Sequence, residues 1–153
     1  MEKETKAPHC LILPYPAQGH VNPMIQFSKR LIEKGVKVTL ITVTSLWKSL
    51  STKNLTSIEV ESISDGYDEG GLSAAKSLED YKETFWRVGT QTLIELLQKL
   101  SKSENPPNCI IFDAFLPWVL DVGKSGGLVS EDMAIKDNRT INTIYVIRQK
   151  TQR

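Results

Sequence analysis

Short apolar runs rich in β-branched residues alternate along this chain with longer stretches in which apolar residues recur every three or four positions. The short runs are bounded by proline, glycine or polar residues and predict buried strands at residues 9–13, 36–43, 58–63 and 108–112. The periodic stretches predict helices over residues 22–34, 45–50, 77–100 and 117–124. Because strands and helices alternate, the pattern predicts a three-layer α/β domain with a parallel sheet.

Local sequence signals set the ends of the predicted helices. Asn22 is a favourable N-cap and Pro23 suits a first helical position, so the first helix is expected to begin there. It is expected to stop before Gly35, after a last turn rich in basic residues. Ser77 and Asp80 have the spacing of a capping box at the start of the third helix.

The pattern changes after Val129. Residues 130–138 are charged and show little periodicity, whereas residues 140–147 are β-branched and are compatible with a strand. We therefore divide the chain into a domain over residues 1–129 and a divergent tail over residues 130–153 whose structure the sequence does not predict.

Composition excludes several classes of protein. The 153 residues contain 19 Lys and Arg against 18 Asp and Glu, a net charge of +1, which argues against a polybasic nucleic-acid binder. No apolar run approaches the ~18 residues that a membrane span needs. The polar N-terminus lacks the pattern of a signal peptide, so a cytoplasmic protein is expected. Cys10 and Cys109 lie within apolar runs and are expected to be buried small hydrophobic residues, with a disulfide framework unlikely.

Two polar residues follow predicted strands at positions where open parallel sheets bind ligands. His20 lies in the segment after the first strand, and Asp113 ends the fourth. An Asp that holds an imidazole in one tautomer and stabilises its protonated form would let the His take a proton from a hydroxyl group. The alternative interpretation is that each residue simply caps a neighbouring helix.

Other motifs carry less information. The turn from Gly19 to Asn22 is compatible with a phosphate site or with an ordinary helix cap. Neither a G-x-G-x-x-G nor a G-x-S-x-G motif occurs, and Gly123-Lys124-Ser125 lacks the upstream glycine of a P-loop. The two His and two Cys do not have the spacing of metal ligands, so no metal is expected. Phe115 is either a core residue or part of an apolar pocket beside Asp113.

Three segments in register resemble plant UDP-sugar glycosyltransferases. They are residues 9–24 (HCLILPYPAQGHVNPM), residues 63–71 (ISDGYDEGG) and residues 113–118 (DAFLPW), and the likeness extends over roughly residues 9–129. The details resemble the members that glucosylate flavonoids, other small phenolics and carboxylates of the salicylate or auxin type.

The resemblance implies the N-terminal, Rossmann-like acceptor domain of a two-domain GT-B enzyme. It implies that His20 is the catalytic base, that Asp113 is its partner, and that Gln18, Gly19 and Phe115 line the acceptor side or contact the sugar. The reaction it implies is an inverting transfer of glucose from UDP-glucose, as co-substrate, to a small-molecule acceptor. It implies no bound cofactor, no metal and no nucleic acid.

The chain also departs from the family. The donor-binding segment built around H-C-G-W-N-S is absent from the 153 residues, and residues 130–139 do not match the family's continuation. We therefore expect an acceptor domain that is incomplete at its C-terminus, without the donor domain, and inactive by itself. The alternative is a non-catalytic module that binds a small molecule or another protein. A nucleotide-binding oxidoreductase fits the α/β pattern but not the missing glycine motif.

Overall fold

The computed structural model describes residues 7–51, 55, 57–125, 133–136 and 143–148, the last two ranges as backbone only. Its strands are β1 His9–Leu13, β2 Lys37–Val43, β3 Glu59–Ile63, β4 Cys109–Asp113, β5 Met133–Lys136 and β6 Thr143–Arg148. Its helices are α1 Gln18–Glu33, α2 Thr44–Ser51, α3 Leu78–Ser101 and α4 Trp118–Ser125, with a short 3-10 helix at Gly71–Ala74.

The first four strands form a parallel sheet in the order β3-β2-β1-β4. The four predicted strands and four predicted helices are all present, and their ends differ from the predicted ones by a few residues. The expected α/β fold is therefore confirmed. Because β1 and β4 are neighbours, the segments that follow them emerge side by side at one edge of the sheet.

Two further strands extend the sheet beyond β4. Strand β6 pairs antiparallel with β4, and β5 pairs antiparallel with β6. The strand considered over residues 140–147 thus corresponds to β6, whereas β5 lies in residues 130–138, for which no element was predicted. The rest of the segment 126–153 lies outside the described residues, and the division at residue 129 stays a prediction.

Helices pack on both faces of the sheet, as the apolar periodicity predicts. One core contains sheet residues, α3 and α4, and its members include Leu11, Leu13, Phe85, Leu93, Ile110, Phe112 and Val119. The other core lies against α1, and its members include Ile12, Val21, Met24, Ile25, Val38, Leu40 and Ile111. Successive residues of β1 alternate between these cores because side chains of a strand point to opposite faces.

Helix α1 begins earlier than the sequence predicts. The expected N-cap Asn22 and first residue Pro23 both lie inside the helix, whose N-cap is Ala17. The Ala17 carbonyl accepts hydrogen bonds from the backbone N–H groups of His20 and Val21, each at 2.9 Å. The helix tolerates the proline near its start at the cost of one backbone hydrogen bond. As a result His20 belongs to the first turn of α1 rather than to a loop.

The prediction that the two cysteines do not form a disulfide is wrong. Cys10 of β1 and Cys109 of β4 form a disulfide, with Cα atoms 4.9 Å apart. The parallel register places these residues opposite each other on adjacent strands. Sequence separation gave no sign of this contact, because it depends on which strands are neighbours and in which register. Cys109 is nevertheless buried, as expected.

Among the described residues, no helix combines the length and the apolar character needed to cross a membrane.

Candidate active site

His20 and Asp113 meet at the edge of the sheet where β1 and β4 end. The Nδ1 atom of His20 lies 2.5 Å from Oδ2 of Asp113. The structure therefore brings together the two residues that the sequence placed on one rim. The His20 side chain remains 16% exposed, whereas that of Asp113 is 2% exposed, so the pair has one face towards solvent and one towards the protein.

The Asp113 carboxylate is fixed by its own backbone turn. Its Oδ1 atom accepts a hydrogen bond from the N–H of Phe115 at 3.0 Å, and its carbonyl oxygen accepts from the N–H of Leu116 at 2.9 Å. The turn that leads into α4 thus holds one carboxylate oxygen and leaves the other for His20. The alternative that Asp113 is only a helix cap explains the contact of Oδ1 with Phe115 but not the contact of Oδ2 with His20.

This geometry assigns different tasks to the two ring nitrogens of His20. A carboxylate accepts hydrogen bonds, so the neutral imidazole carries its proton on Nδ1 and donates it to Asp113. Nε2 is then the nitrogen with a free lone pair, able to take a proton from a hydroxyl group. An imidazolium formed in this way would be stabilised by the buried Asp113 carboxylate.

Two aromatic side chains enclose the imidazole of His20. The ring centroid of Tyr15 lies 5.4 Å from that of His20, and the ring centroid of Phe115 lies 4.9 Å from it. Burial raises the pKa of the Tyr15 phenol, and the nearby charge of Asp113 raises it further. Tyr15 therefore stays neutral at physiological pH. The sequence singled out Phe115 but not Tyr15, which lies between two prolines.

The other two predicted site residues, Gln18 and Gly19, form the exposed start of α1 directly before His20. A Cβ atom built on Gly19 meets nothing within 4 Å. The packing of the described residues therefore does not require a glycine here. The space above Gly19 is open to a ligand that approaches the helix start.

A cavity of about 480 Å³ lies between α3 and α4. Neither His20 nor Asp113 lines it, but Tyr15 and Phe115, which flank the His20 ring, do. It is called the α3–α4 cavity below. Its lining comprises Tyr15, Lys82, Phe85, Trp86, Phe115, Leu116, Pro117, Trp118 and Asp121. Phe115 thus lines a cavity, and with an exposed fraction of 63% it is no core residue, which decides between the two interpretations of its role.

Sequence reasoning missed the α3 side of this cavity, formed by Lys82, Phe85 and Trp86. Phe85 is a core residue, and its ring centroid lies 5.3 Å from that of Trp118. Trp86 offered a signal, since a large aromatic residue on the polar face of a helix is unusual, and its side chain is 59% exposed.

The segment 63–71 positions α3 rather than contacting the histidine. Asp65 is fully buried and accepts hydrogen bonds of 2.8 Å from the Tyr81 hydroxyl and from the N–H of Tyr67. Burial, together with the Asp65 hydrogen bond and charge, raises the pKa of Tyr81. Gly66 has φ of +87°, and a Cβ there would lie 2.4 Å from a methyl carbon of Thr84. The loop thereby fixes the start of α3, which forms one wall of the cavity.

Comparison with protein-family models finds no match for this chain. Curated relatives do match. UDP-glycosyltransferase 74F2 of Arabidopsis thaliana is 46% identical over 127 residues, covering 83% of this chain and 28% of the relative. Indole-3-acetate beta-glucosyltransferase of Zea mays is 38% identical, covering 80% of this chain and 26% of the relative. The chain spans about a quarter of the length of these curated relatives.

Solved structures agree with the curated relatives. Os79 from O. sativa in complex with U2F and trichothecene superposes with a TM-score of 0.73 at 35% identity, covering 78% of this chain and 28% of Os79. Os79 in complex with UDP gives a TM-score of 0.70 at 36% identity, covering 78% of this chain and 27% of Os79.

Proposed function

Since the chain belongs to the plant UDP-glycosyltransferase family, we propose that it supplies the acceptor side and the catalytic base of a glucosyltransferase. The reaction transfers glucose from UDP-glucose to a hydroxyl or carboxylate group of a small plant metabolite. The observation that carries this proposal is the hydrogen bond between Nδ1 of His20 and Oδ2 of Asp113 at an open edge of the sheet.

His20 acts as general base in this proposal. Its Nε2 takes the proton of the acceptor hydroxyl while the acceptor oxygen forms a bond to the anomeric carbon of glucose. The bond between that carbon and the phosphate oxygen breaks on the opposite face, and UDP leaves with the bonding electrons. The configuration of the anomeric carbon is therefore inverted. The Asp113 carboxylate stabilises the imidazolium through its hydrogen bond to Nδ1.

The acceptor binds beside Tyr15 and Phe115, at the mouth of the α3–α4 cavity. Their rings flank the imidazole and offer aromatic surface to a planar ligand. The open space above Gly19 and the exposed Gln18 leave room for the sugar. Two relatives are named for small aromatic acceptors, which supports an acceptor of this kind. They are a flavonol 7-O-beta-glucosyltransferase and an indole-3-acetate beta-glucosyltransferase.

The donor is held by residues that the 153-residue sequence does not contain. Os79 has been crystallised with UDP, which agrees with UDP-glucose as co-substrate. The donor-binding segment around H-C-G-W-N-S does not occur in the 153 residues, so a polypeptide of these residues alone is expected to bind acceptor but not to transfer glucose. A cytoplasmic location remains part of the proposal.

A chimera tests the role of His20. Residues 1–129 are joined to the remainder of UDP-glycosyltransferase 74F2, and glucose transfer to a phenol is measured before and after His20→Ala. Loss of the base should lower kcat/KM by about 10²–10⁴-fold. A carboxylate acceptor is already ionised at neutral pH and should suffer a smaller loss. Asp113→Asn should give a loss in the same direction.

Circular dichroism of each variant checks that the fold is intact. Equal losses with the phenol and the carboxylate would mean that His20 only positions the acceptor. A chimera that transfers glucose at the same rate without His20 would overturn the proposal.

A further inference from the structure

Two charged residues that line the α3–α4 cavity take no part in the proposed proton transfer to His20. Lys82 and Asp121 are part of a lining that is otherwise aromatic or apolar. At one end, Tyr15 and Phe115 belong both to the cavity and to the surroundings of His20. At the other end lies α3, on which Lys82 and Trp86 are one helical turn apart and therefore neighbours on the surface.

We propose that this cavity holds the ring system of an aromatic acceptor that carries an anionic group, and that Lys82 selects such acceptors by pairing with that group. The inference rests on the proposed function for the orientation of the ligand, with its hydroxyl group towards His20. The ligand class is a planar aromatic acid whose carboxylate lies at the opposite end from the oxygen that is glucosylated.

The aromatic walls account for the ring system. Trp86 and Phe115 both line the cavity and are 59% and 63% exposed, so part of its aromatic lining is open to solvent. Phe85 and Trp118 also line it, pack against each other and are buried. A planar ring that binds against these side chains buries apolar surface. The volume of about 480 Å³ exceeds that of a single benzene ring and admits two fused rings.

The charges favour an anion on the α3 side. Asp121 lies in the first turn of α4, where a carboxylate is stabilised by the helix dipole without any ligand. Lys82 is exposed on α3 and supplies the positive charge of the cavity lining. Its aliphatic stem can pack along an apolar wall while the ammonium group stays at the opening. An ammonium group offers three hydrogen-bond donors to a carboxylate.

Calorimetric titration of the 153-residue chain tests this selection with a matched pair of ligands. 6-Hydroxy-2-naphthoate and 6-hydroxy-2-naphthamide have the same ring system and hydroxyl group and differ in charge. At low ionic strength the naphthoate should bind about 3- to 5-fold more tightly, the range expected for an ion pair with an exposed lysine. The preference should shrink as salt is added.

Variants assign the preference to Lys82. Lys82→Met should abolish the difference between the two ligands, and Lys82→Arg should preserve it. Asp121→Asn should increase the preference for the naphthoate, because it removes a negative charge from the lining. Trp86→Ala should lower the affinity for both ligands by the same factor. Lys102→Met, beyond the far end of α3, is the matched control and should change nothing.

The result that would overturn the inference is a naphthoate preference that survives Lys82→Met, or no binding of either ligand at millimolar concentration. Thermal melting of Lys82→Met and Lys82→Arg shows whether a loss of binding comes from a loss of fold. The titration needs neither donor nor catalysis. Failure of the His20 experiment would therefore leave this result standing, and failure of the titration would leave the His20 experiment unaffected.

Discussion

His9 is the other histidine of the chain. It lies at the amino end of β1 and, unlike His20, is buried. Its Nδ1 is 2.7 Å from the carbonyl oxygen of Asn105, and its Nε2 is 2.7 Å from Oγ1 of Thr39. A carbonyl oxygen only accepts, so Nδ1 carries the proton and Nε2 accepts from the threonine hydroxyl. The Thr39 contact thus needs the lone pair of Nε2 and favours the neutral ring, whereas the Asn105 carbonyl accepts from Nδ1–H in either charge state.

The pH dependence of stability follows from this arrangement. Burial lowers the pKa of His9; the Asn105 carbonyl opposes the shift, Lys37 adds to it and Glu59 opposes it. The unfolded chain therefore binds a proton more readily than the folded one, and stability is lost as the pH falls below about 6.5, the ordinary pKa of histidine. The free energy of unfolding should decrease towards pH 5, by no more than about 1.4 kcal/mol per pH unit from this residue.

Urea unfolding between pH 7.5 and 5 measures this effect. His9→Gln removes the titrating group while His20 and all the carboxylates remain. The difference between the two proteins should therefore report His9 alone. Parallel curves for the two proteins across this pH range would contradict the assignment.

At the scale of the elements, the packing of α3 on α4 depends on Gly89. A Cβ atom at this position would lie 2.7 Å from Cδ1 of Phe85 and 2.9 Å from Cη2 of Trp118. The glycine therefore lets the two aromatic rings approach the backbone of α3. Both rings line the α3–α4 cavity, so the absence of a side chain at Gly89 also affects the wall of that cavity.

Gly89→Ala should lower the stability of the protein. In an exposed helix the same change would raise stability by about 1 kcal/mol. Here the added methyl group overpacks the core, which costs about 1–3 kcal/mol. Gly19→Ala is the matched control, because a methyl group at the start of α1 meets nothing within 4 Å and should leave stability equal or higher. Urea unfolding of both variants would contradict the packing argument if Gly89→Ala proved as stable as Gly19→Ala.

At the scale of the whole molecule, one covalent link joins strands β1 and β4. The disulfide connects Cys10 near the start of β1 with Cys109 at the start of β4, across 99 residues of sequence. The candidate catalytic pair lies beyond the other end of these strands, because Asp113 is the last residue of β4 and His20 lies in α1, the helix that follows β1. The cytoplasm keeps most thiols reduced, so the state of this pair also bears on the proposed location.

Reduction of the disulfide should lower the free energy of unfolding by about 2–4 kcal/mol, because the closed loop restricts the unfolded chain. Urea unfolding with and without reductant measures the change, and thiol alkylation followed by mass spectrometry establishes the state of the cysteines. A variant with both Cys10→Ala and Cys109→Ala should not respond to reductant. Equal stability of the oxidised and reduced wild-type protein would refute this prediction.

Most of the fold could be predicted from sequence, because its signals are local. The strand at His9–Leu13 was predicted to the residue, since a short apolar run closed by proline favours a strand over a helix. Ser77 caps α3 as its spacing with Asp80 predicts, accepting a hydrogen bond of 3.1 Å from the Asp80 N–H. The start of α1 was missed, because the contacts of the Ala17 carbonyl outweigh the preferences of Asn22 and Pro23.

By itself, the sequence determined which residues form strands and helices and which polar groups follow strands β1 and β4, because hydrophobic period and turn residues act over a few positions. The tertiary structure alone decided which groups meet. The 2.5 Å contact of His20 with Asp113, the pairing of Cys10 with Cys109 and the cavity beside Lys82 all join residues far apart in sequence. Such contacts depend on strand order, register and helix packing. These are determined jointly by side chains throughout the core, not by any local segment.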